Sequence, residues 1–240
     1  MRIPRIYLNQ PLNTDNDVAL DADSAHYLAS VLRMKPGMSL VAFDGSGQEF
    51  HGTLQKLNRK SGIASFTEAV SPGTESPLQT ILGIGISRGE RMDYVVQKST
   101  ELGVSTIQPL FTEHCEVKLD DQRADKRREH WQQVAISASE QSGRVIPPAV
   151  FAPVSLSQWI ETVPGPQKYL LDQEQSGSLE GMSDPGGIAL LIGPEGGLSE
   201  NEKTLALSRG FLGLNLGART LRTETAPVAA LSLFQYLWGN

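Results

Sequence analysis

The apolar residues of this chain change rhythm near residue 77. Before it they come in short runs such as Ser39-Leu-Val-Ala-Phe43 and Gly62-Ile-Ala-Ser-Phe66. The turn clusters Lys35-Pro-Gly37, Asp44-Gly-Ser-Gly47 and Asn58-Arg-Lys-Ser-Gly62 cut them apart. That spacing predicts the short strands of a small β-barrel. One stretch departs from it: Ala25, Leu28, Ala29 and Leu32 recur at helical intervals behind a cap at Asp21 or Asp23, which predicts a helix over Asp23 to Arg33. Ser71-Pro-Gly-Thr-Glu-Ser-Pro77 is polar and rich in breakers and reads as a linker. The organisation expected is therefore a β-rich domain over 1–72, a linker at 73–77 and a second domain over 78–240.

In that second domain strands and helices alternate. Leu78 to Ile86 predicts a strand, Met92, Val95, Val96, Ser99 and Leu102 keep a helical stripe closed by Gly103, and Ser105 to Phe111 predicts a strand again. A strand, a helix and a strand imply a parallel sheet. Trp131, Val134, Ala135 and Ala138 mark the buried stripe of a long charged helix from about Asp121 to Gln141. A short helix over Leu156 to Thr162 follows, then strands Lys168 to Asp172 and Ile188 to Ile192, a helix ending at Arg209, a strand over Phe211 to Leu216 and a last helix from Pro227 to Trp238. Pro227 suits the first turn of that helix, where its missing N–H is no loss. The most informative passage is Ile188-Ala-Leu-Leu-Ile-Gly-Pro-Glu-Gly-Gly-Leu-Ser-Glu-Asn-Glu202. A buried strand empties there into a glycine loop, and Ser199 and Glu202 stand three apart as in a capping box. Glycines let backbone approach a ligand and a helix start offers free amides, so this is either a ligand-binding corner or, more plainly, a turn between two elements.

Composition narrows the class. The 240 residues are 39% hydrophobic and 20% charged, a balance ordinary for a folded soluble chain. No apolar run reaches the roughly 18–20 residues of a membrane span, Ala226 to Trp238 coming nearest, and Met1-Arg-Ile-Pro-Arg-Ile-Tyr7 has no apolar signal core. A cytoplasmic protein without membrane contact is expected. The single cysteine, Cys115, has no metal-ligand spacing around it, and no metal is expected. The net charge of −6 argues against wholesale coating of nucleic acid, yet residues 1–72 hold seven basic and seven acidic side chains, so the negative excess lies beyond them. That asymmetry favours an RNA-facing front end, with Arg2, Arg5, Arg33 and Lys35 its most suggestive cations.

Several chemistries fail on spacing. Gly83-Ile-Gly85-Ile-Ser-Arg-Gly89 follows a strand but is one residue too long for a dinucleotide fingerprint, and neither a P-loop nor a nucleophile elbow occurs. His26, His51, His114 and His130 share no motif and read as surface or packing residues. A second polar loop does stand out, Leu214-Asn-Leu-Gly-Ala-Arg-Thr-Leu-Arg-Thr-Glu-Thr-Ala-Pro-Val228, where a strand ends at a glycine and two arginines and three threonines precede an apolar helix.

Gly193-Pro-Glu-Gly-Gly197 together with Leu216-Gly-Ala-Arg-Thr-Leu-Arg-Thr-Glu-Thr-Ala226 resembles the two C-terminal signatures of the SPOUT methyltransferases, and within them the RsmE group, which methylates N3 of a uridine in 16S ribosomal RNA of the small subunit. Arg2-Ile-Pro-Arg-Ile-Tyr7, Ser87-Arg-Gly-Glu-Arg-Met92, Gln97-Lys-Ser-Thr-Glu-Leu-Gly103 and Ser139-Glu-Gln-Ser-Gly-Arg144 resemble further blocks of that group. The resemblance implies an α/β fold with a PUA-like β-barrel at the N-terminus, a SPOUT domain with a parallel sheet and a C-terminal trefoil knot, S-adenosylmethionine as cofactor, and a homodimer. It places the cofactor among Leu171, the corner Ile192, Gly193, Pro194, Glu195 and Gly196, and the loop carrying Leu216, Gly217, Leu221, Arg222 and Thr225. Loss of the imino proton of a uridine spreads negative charge onto two carbonyl oxygens, and an arginine fork would favour that anion. Arg222 is the first candidate and Arg219 the second, each alternatively a structural ion pair of the knot. Glu224 is either a proton acceptor or a residue that complements the helix dipole. RNA contacts are expected from Arg2, Arg5, Arg33 and Arg88. The competing readings are a non-catalytic RNA-binding or ribosome-assembly protein on the same scaffold, and an oxidoreductase using the Gly83 to Gly89 turn.

Overall fold

The structure, a computed structural model, describes residues 3–117, 120–165, 167–174, 177, 179 and 181–239. The chain divides into two compact units, Met1–Glu75 with Ser139–Pro147, and Ser76–Ala138 with Pro148–Asn240.

The first unit is built on one five-stranded sheet. Strands β1 (Arg5–Tyr7), β2 (Val18–Leu20), β3 (Ser39–Phe43), β4 (Glu49–Leu57) and β5 (Gly62–Val70) stand in the order β1-β3-β4-β5-β2, with β1 parallel to β3 and the other pairs antiparallel. Strand β4 is silent in the hydrophobic pattern because only Phe50 and Leu54 along it are buried. Gly52 lets β5 pack close there, since a Cβ would lie 2.1 Å from the Ser65 carbonyl oxygen. Asp21 caps α1 (Ala22–His26) by accepting from the Ser24 N–H at 2.7 Å. The helix widens into a π turn over Tyr27–Val31 rather than running to Arg33, which has φ +53°. That left-handed backbone ends the helical path.

The second unit carries strands β6 (Gln79–Gly85), β7 (Thr106–Phe111), β8 (Ala149–Val150), β9 (Val154–Ser155), β10 (Gln167–Leu171), β11 (Gly187–Ile192) and β12 (Leu212–Leu214). They pair in parallel in the order β12-β10-β11-β6-β7-β8, with β9 also on β7. Helices α2 (Glu90–Glu101), α3 (Asp121–Ser142) and α6 (Thr225–Trp238) contribute to the core on one face, and α4 (Leu156–Thr162) and α5 (Glu200–Ser208) to the core on the other. Strand β11 shows why its sequence is an unbroken apolar run: Ile188, Leu190 and Ile192 enter one core, Ala189 and Leu191 the other. The glycines of β6 have a packing reason. A Cβ on Gly83 would lie 2.3 Å from the Trp159 ring, and one on Gly85 2.5 Å from Pro194.

Candidate functional site

Three parallel strands, β10, β11 and β12, end side by side, and the loops that leave them enclose a cleft of about 640 Å³. Ligands of open α/β sheets bind at the carboxyl ends of strands, and the volume suits a small organic molecule. The first loop contributes Leu171 to Glu174, the second Ile192 to Leu198, and the third Asn215, Leu216, Gly217 and Arg219 to Glu224; Arg91 of α2, Lys203 of α5 and Ala226 of α6 complete the wall. Leu171, Ile192, Leu216 and Leu221 form its apolar part.

The loops are tied to one another. Gly197 takes φ +70° and its N–H returns to the Pro194 carbonyl at 2.9 Å, closing the turn. The capping box is formed, with Glu202 donating its N–H to Ser199 Oγ at 3.2 Å and accepting from the Ser199 N–H at 2.9 Å. Its other oxygen accepts from the Glu113 N–H at 2.9 Å, so the same carboxylate also fixes the loop after β7. Gln173 crosses from the first loop to the third: its carbonyl accepts from Asn215 Nδ2 at 2.7 Å, its Nε2 donates to the Ala218 carbonyl at 3.0 Å, and its Oε1 accepts from Thr220 Oγ1 at 2.5 Å. Lys203 Nζ meets Asp172 and Glu174 at 2.8 Å and Glu200 at 3.0 Å. Burial opposes its charge, but the three carboxylates prevail and hold the ammonium above the ordinary lysine range.

Glu195 links the corner to the start of α2. Its Oε1 accepts from the Arg88 N–H at 3.1 Å and from Arg91 Nη1 at 2.8 Å. Burial raises its pKa, yet backbone donors and the Arg91 guanidinium outweigh that and hold the carboxyl below its ordinary range. Arg91 is correspondingly raised, first by its bond to Glu195 and further by the charge of Glu224. Arg219 and Arg222 are exposed on the cleft, and among the described residues neither has an ion-pair partner. Glu224 lines the cleft as the cap position of α6 without a capping bond. Thr225, the first residue of α6, is exposed and is not a wall residue.

The cations assigned to RNA are scattered. Arg33 is exposed in the first unit. Arg88 belongs to the second unit, where its guanidinium pairs with Glu116 at 2.6 Å on the surface. Arg5 has a side chain only 13% exposed; it pairs with Glu49, donates to the Arg144 carbonyl at 3.1 Å and lies over the Phe43 ring at 5.2 Å. Those contacts give Arg5 a structural post. Arg2 lies outside the described residues. No motif singles out Arg91, Gln173 or Lys203 as wall residues, and His114, which reads from the sequence as a surface or packing residue, is exposed with its Nδ1 3.0 Å from the Gly196 carbonyl.

The chain matches the RNA methyltransferase domain family over residues 74–235 and the RNA methyltransferase PUA domain family over residues 20–67. The ribosomal RNA small subunit methyltransferase E of Buchnera aphidicola (subsp. Schizaphis graminum) is 33% identical over 241 residues, which cover 100% of this chain and 98% of that protein. The protein of the same name from Synechocystis is 36% identical over 222 residues, covering 90% and 71%. Among solved structures, the ribosomal RNA small subunit methyltransferase E of Neisseria gonorrhoeae bound to S-adenosyl methionine superposes with a TM-score of 0.93 at 38% identity, covering 99% of each chain. With whole-length relatives on one side and a formed cleft on the other, the chain belongs to the RNA methyltransferase family, in the group of the ribosomal RNA small subunit methyltransferase E proteins.

Proposed function

We propose that this protein transfers a methyl group from S-adenosylmethionine to N3 of a uridine in 16S ribosomal RNA. The observation that carries the reading is the cleft itself, in which an apolar slot adjoins two arginines that have no carboxylate partner among the described residues. The residues fit the cofactor: Leu171, Ile192, Leu216 and Leu221 suit an adenine ring, the loop backbones offer amides and carbonyls to its edge, and acidic groups of the wall suit a cationic donor. When bound, the cofactor supplies an electrophilic methyl group on a sulfonium. The chain's task is then to position donor and acceptor and to meet the charge that develops on the base. Arg222 takes that charge, with Arg219 beside it and Glu224 on the same loop.

Mass spectrometry of nucleosides from 16S ribosomal RNA, treated as naked RNA and as assembled subunits, checks the reaction. N3-methyluridine is the expected product; a methyl group on carbon or ribose, or no cofactor binding by the folded protein, would overturn the reading. Gly85→Val probes the corner from behind, because a side chain there must push against Pro194. Donor affinity measured by calorimetry is expected to fall at least about tenfold, roughly 1.4 kcal/mol.

Three further proposals follow from the family likeness. The N-terminal unit grips RNA phosphates with exposed cations such as Arg33, assisted by Arg88, and the target base is drawn from its stack. Arg33→Ala and Arg88→Ala are each expected to weaken RNA binding and lower its salt slope by about one while leaving donor affinity unchanged; an unchanged slope would remove them from the interface. The protein acts as a homodimer in the cytoplasm. Leu231 and Phe234 of α6 are buried in the core, but Leu233, Leu237 and Tyr236, the last 80% exposed, leave apolar side chains on the surface of the helix. Tyr236→Glu is expected to shift sedimentation from dimer to monomer. The C-terminal part of the second unit is threaded as a trefoil knot, a reading that rests on the family likeness alone.

A further inference from the structure

We infer that His114 is the general base of the reaction, accepting the imino proton of the target base at Nε2; this rests on the N3-uridine reading above. The ring lies against the glycine corner. Its Nδ1 is 3.0 Å from the Gly196 carbonyl oxygen, and a Cβ on Gly196, a cleft-wall residue, would lie 2.9 Å from His114 Cβ. A carbonyl can only accept, so Nδ1 carries the hydrogen and donates it. In the neutral ring Nε2 is then left with its lone pair, which is the tautomer a base requires.

The ring is exposed but its loop is braced on both sides. The Glu113 N–H is held by Glu202 at 2.9 Å, the Cys115 N–H returns to the Thr112 carbonyl at 3.1 Å, and Glu116 pairs with Arg88 at 2.6 Å. Three carboxylates of the cleft wall, to which His114 itself does not belong, are already engaged by donors. Glu195 is stabilised as an anion by Arg91 and the Arg88 amide, and Asp172 and Glu174 share Lys203. Glu224 is the remaining competitor. The charged residues on the elements around His114 are Glu113 and Glu116 of its own loop, Glu195 of the corner, Glu202 of α5, and Arg88 and Arg91 at the start of α2.

The step balances simply. The N3–H bond breaks and its proton passes to Nε2; the electron pair left on nitrogen forms the bond to the methyl carbon as the carbon–sulfur bond breaks with its pair going to sulfur. The imidazolium afterwards releases its proton to solvent.

Two measurements test the assignment. Nitrogen-15 NMR of the four-histidine protein is expected to show His114 as the Nδ1–H tautomer before any donor is added; an Nε2–H tautomer would overturn it. Single-turnover rates of His114→Gln against pH, with product mapped to its atom, form the second. The variant should bind S-adenosylmethionine as wild type does, transfer about 10²-fold more slowly at neutral pH, and regain rate as pH rises and the base loses its proton unaided. A deficit constant across pH, an equal loss of donor affinity, or a pH-sensitive deficit found in Glu224→Gln instead would each overturn His114 while leaving N3 methylation standing. Wild-type product on an atom other than N3 would overturn both.

Discussion

Arg222→Ala is expected to lower the single-turnover rate of methyl transfer by about 10²–10³-fold, the range observed when one preorganised donor to a developing anion is removed. Donor affinity should stay within about threefold of wild type, because an interaction made only as charge develops does not stabilise the ground state. The side chain is free to do this: it is exposed on the cleft and, among the described residues, has no ion-pair partner. Glu195, another wall residue, is by contrast already matched to Arg91. Arg222→Lys should recover only part of the rate, since an ammonium is a point charge and cannot span two oxygens as a guanidinium fork does. Arg219→Ala should fall less than Arg222→Ala. Calorimetry and stopped-flow kinetics separate the outcomes: a loss of donor affinity equal to the loss of rate would make Arg222 a cofactor ligand, and a fall in melting temperature would make it a structural residue of the third loop.

Elements whose side chains are buried on both faces were the easiest to read. Strand β11 is buried throughout and apolar after Gly187, while α2 is legible from one stripe, where Met92, Val95 and Val96 are buried beside Ser99 and Thr100. Strand β4 was not legible, because its outward positions are polar and its inward ones include Gly52, placed for close approach of β5. The same ambiguity affected Gly83 and Gly85, which imitate a nucleotide loop along the chain. In space they make room for Trp159 and Pro194. Two of the cleft's three loops announce themselves by glycine and arginine content, while the first, Leu171 to Glu174, has only polar residues after a short strand. Its role depends on Lys203 and Asn215, 29 and 42 residues away from the groups they hold. Arg91 reaches Glu195 across 104 residues and His114 reaches Gly196 across 82. No local spacing rule covers such distances, and chain order alone therefore could not separate these two side chains from ordinary surface charge.

Glu75→Ala is expected to destabilise the first unit by about 3 kcal/mol, the low end of the cost of removing one partner of a buried ion pair. Glu75 sits in the proline- and glycine-rich stretch that reads as a linker, yet its carboxylate accepts four bonds: from Arg144 Nε at 3.0 Å, Arg144 Nη2 at 2.8 Å, the Val145 N–H at 2.8 Å and the Ile146 N–H at 3.0 Å. The Arg144 side chain is only 7% exposed, so alanine at 75 strips a buried guanidinium of this carboxylate and leaves two amides to find water. The damage spreads to β1, because the Arg144 carbonyl accepts from Arg5 and Glu140 accepts from the Tyr7 N–H at 2.9 Å. Glu75→Gln, which keeps an acceptor for the amides but loses the charge, should fall between alanine and wild type. All cleft-wall residues belong to the second unit. Donor binding by Glu75→Ala at low temperature should therefore match wild type even as its thermal unfolding begins earlier and RNA methylation declines. An unchanged unfolding curve would show that the four bonds add nothing to stability beyond their cost in desolvation, and a lost donor site would show that the first unit supports the cleft after all.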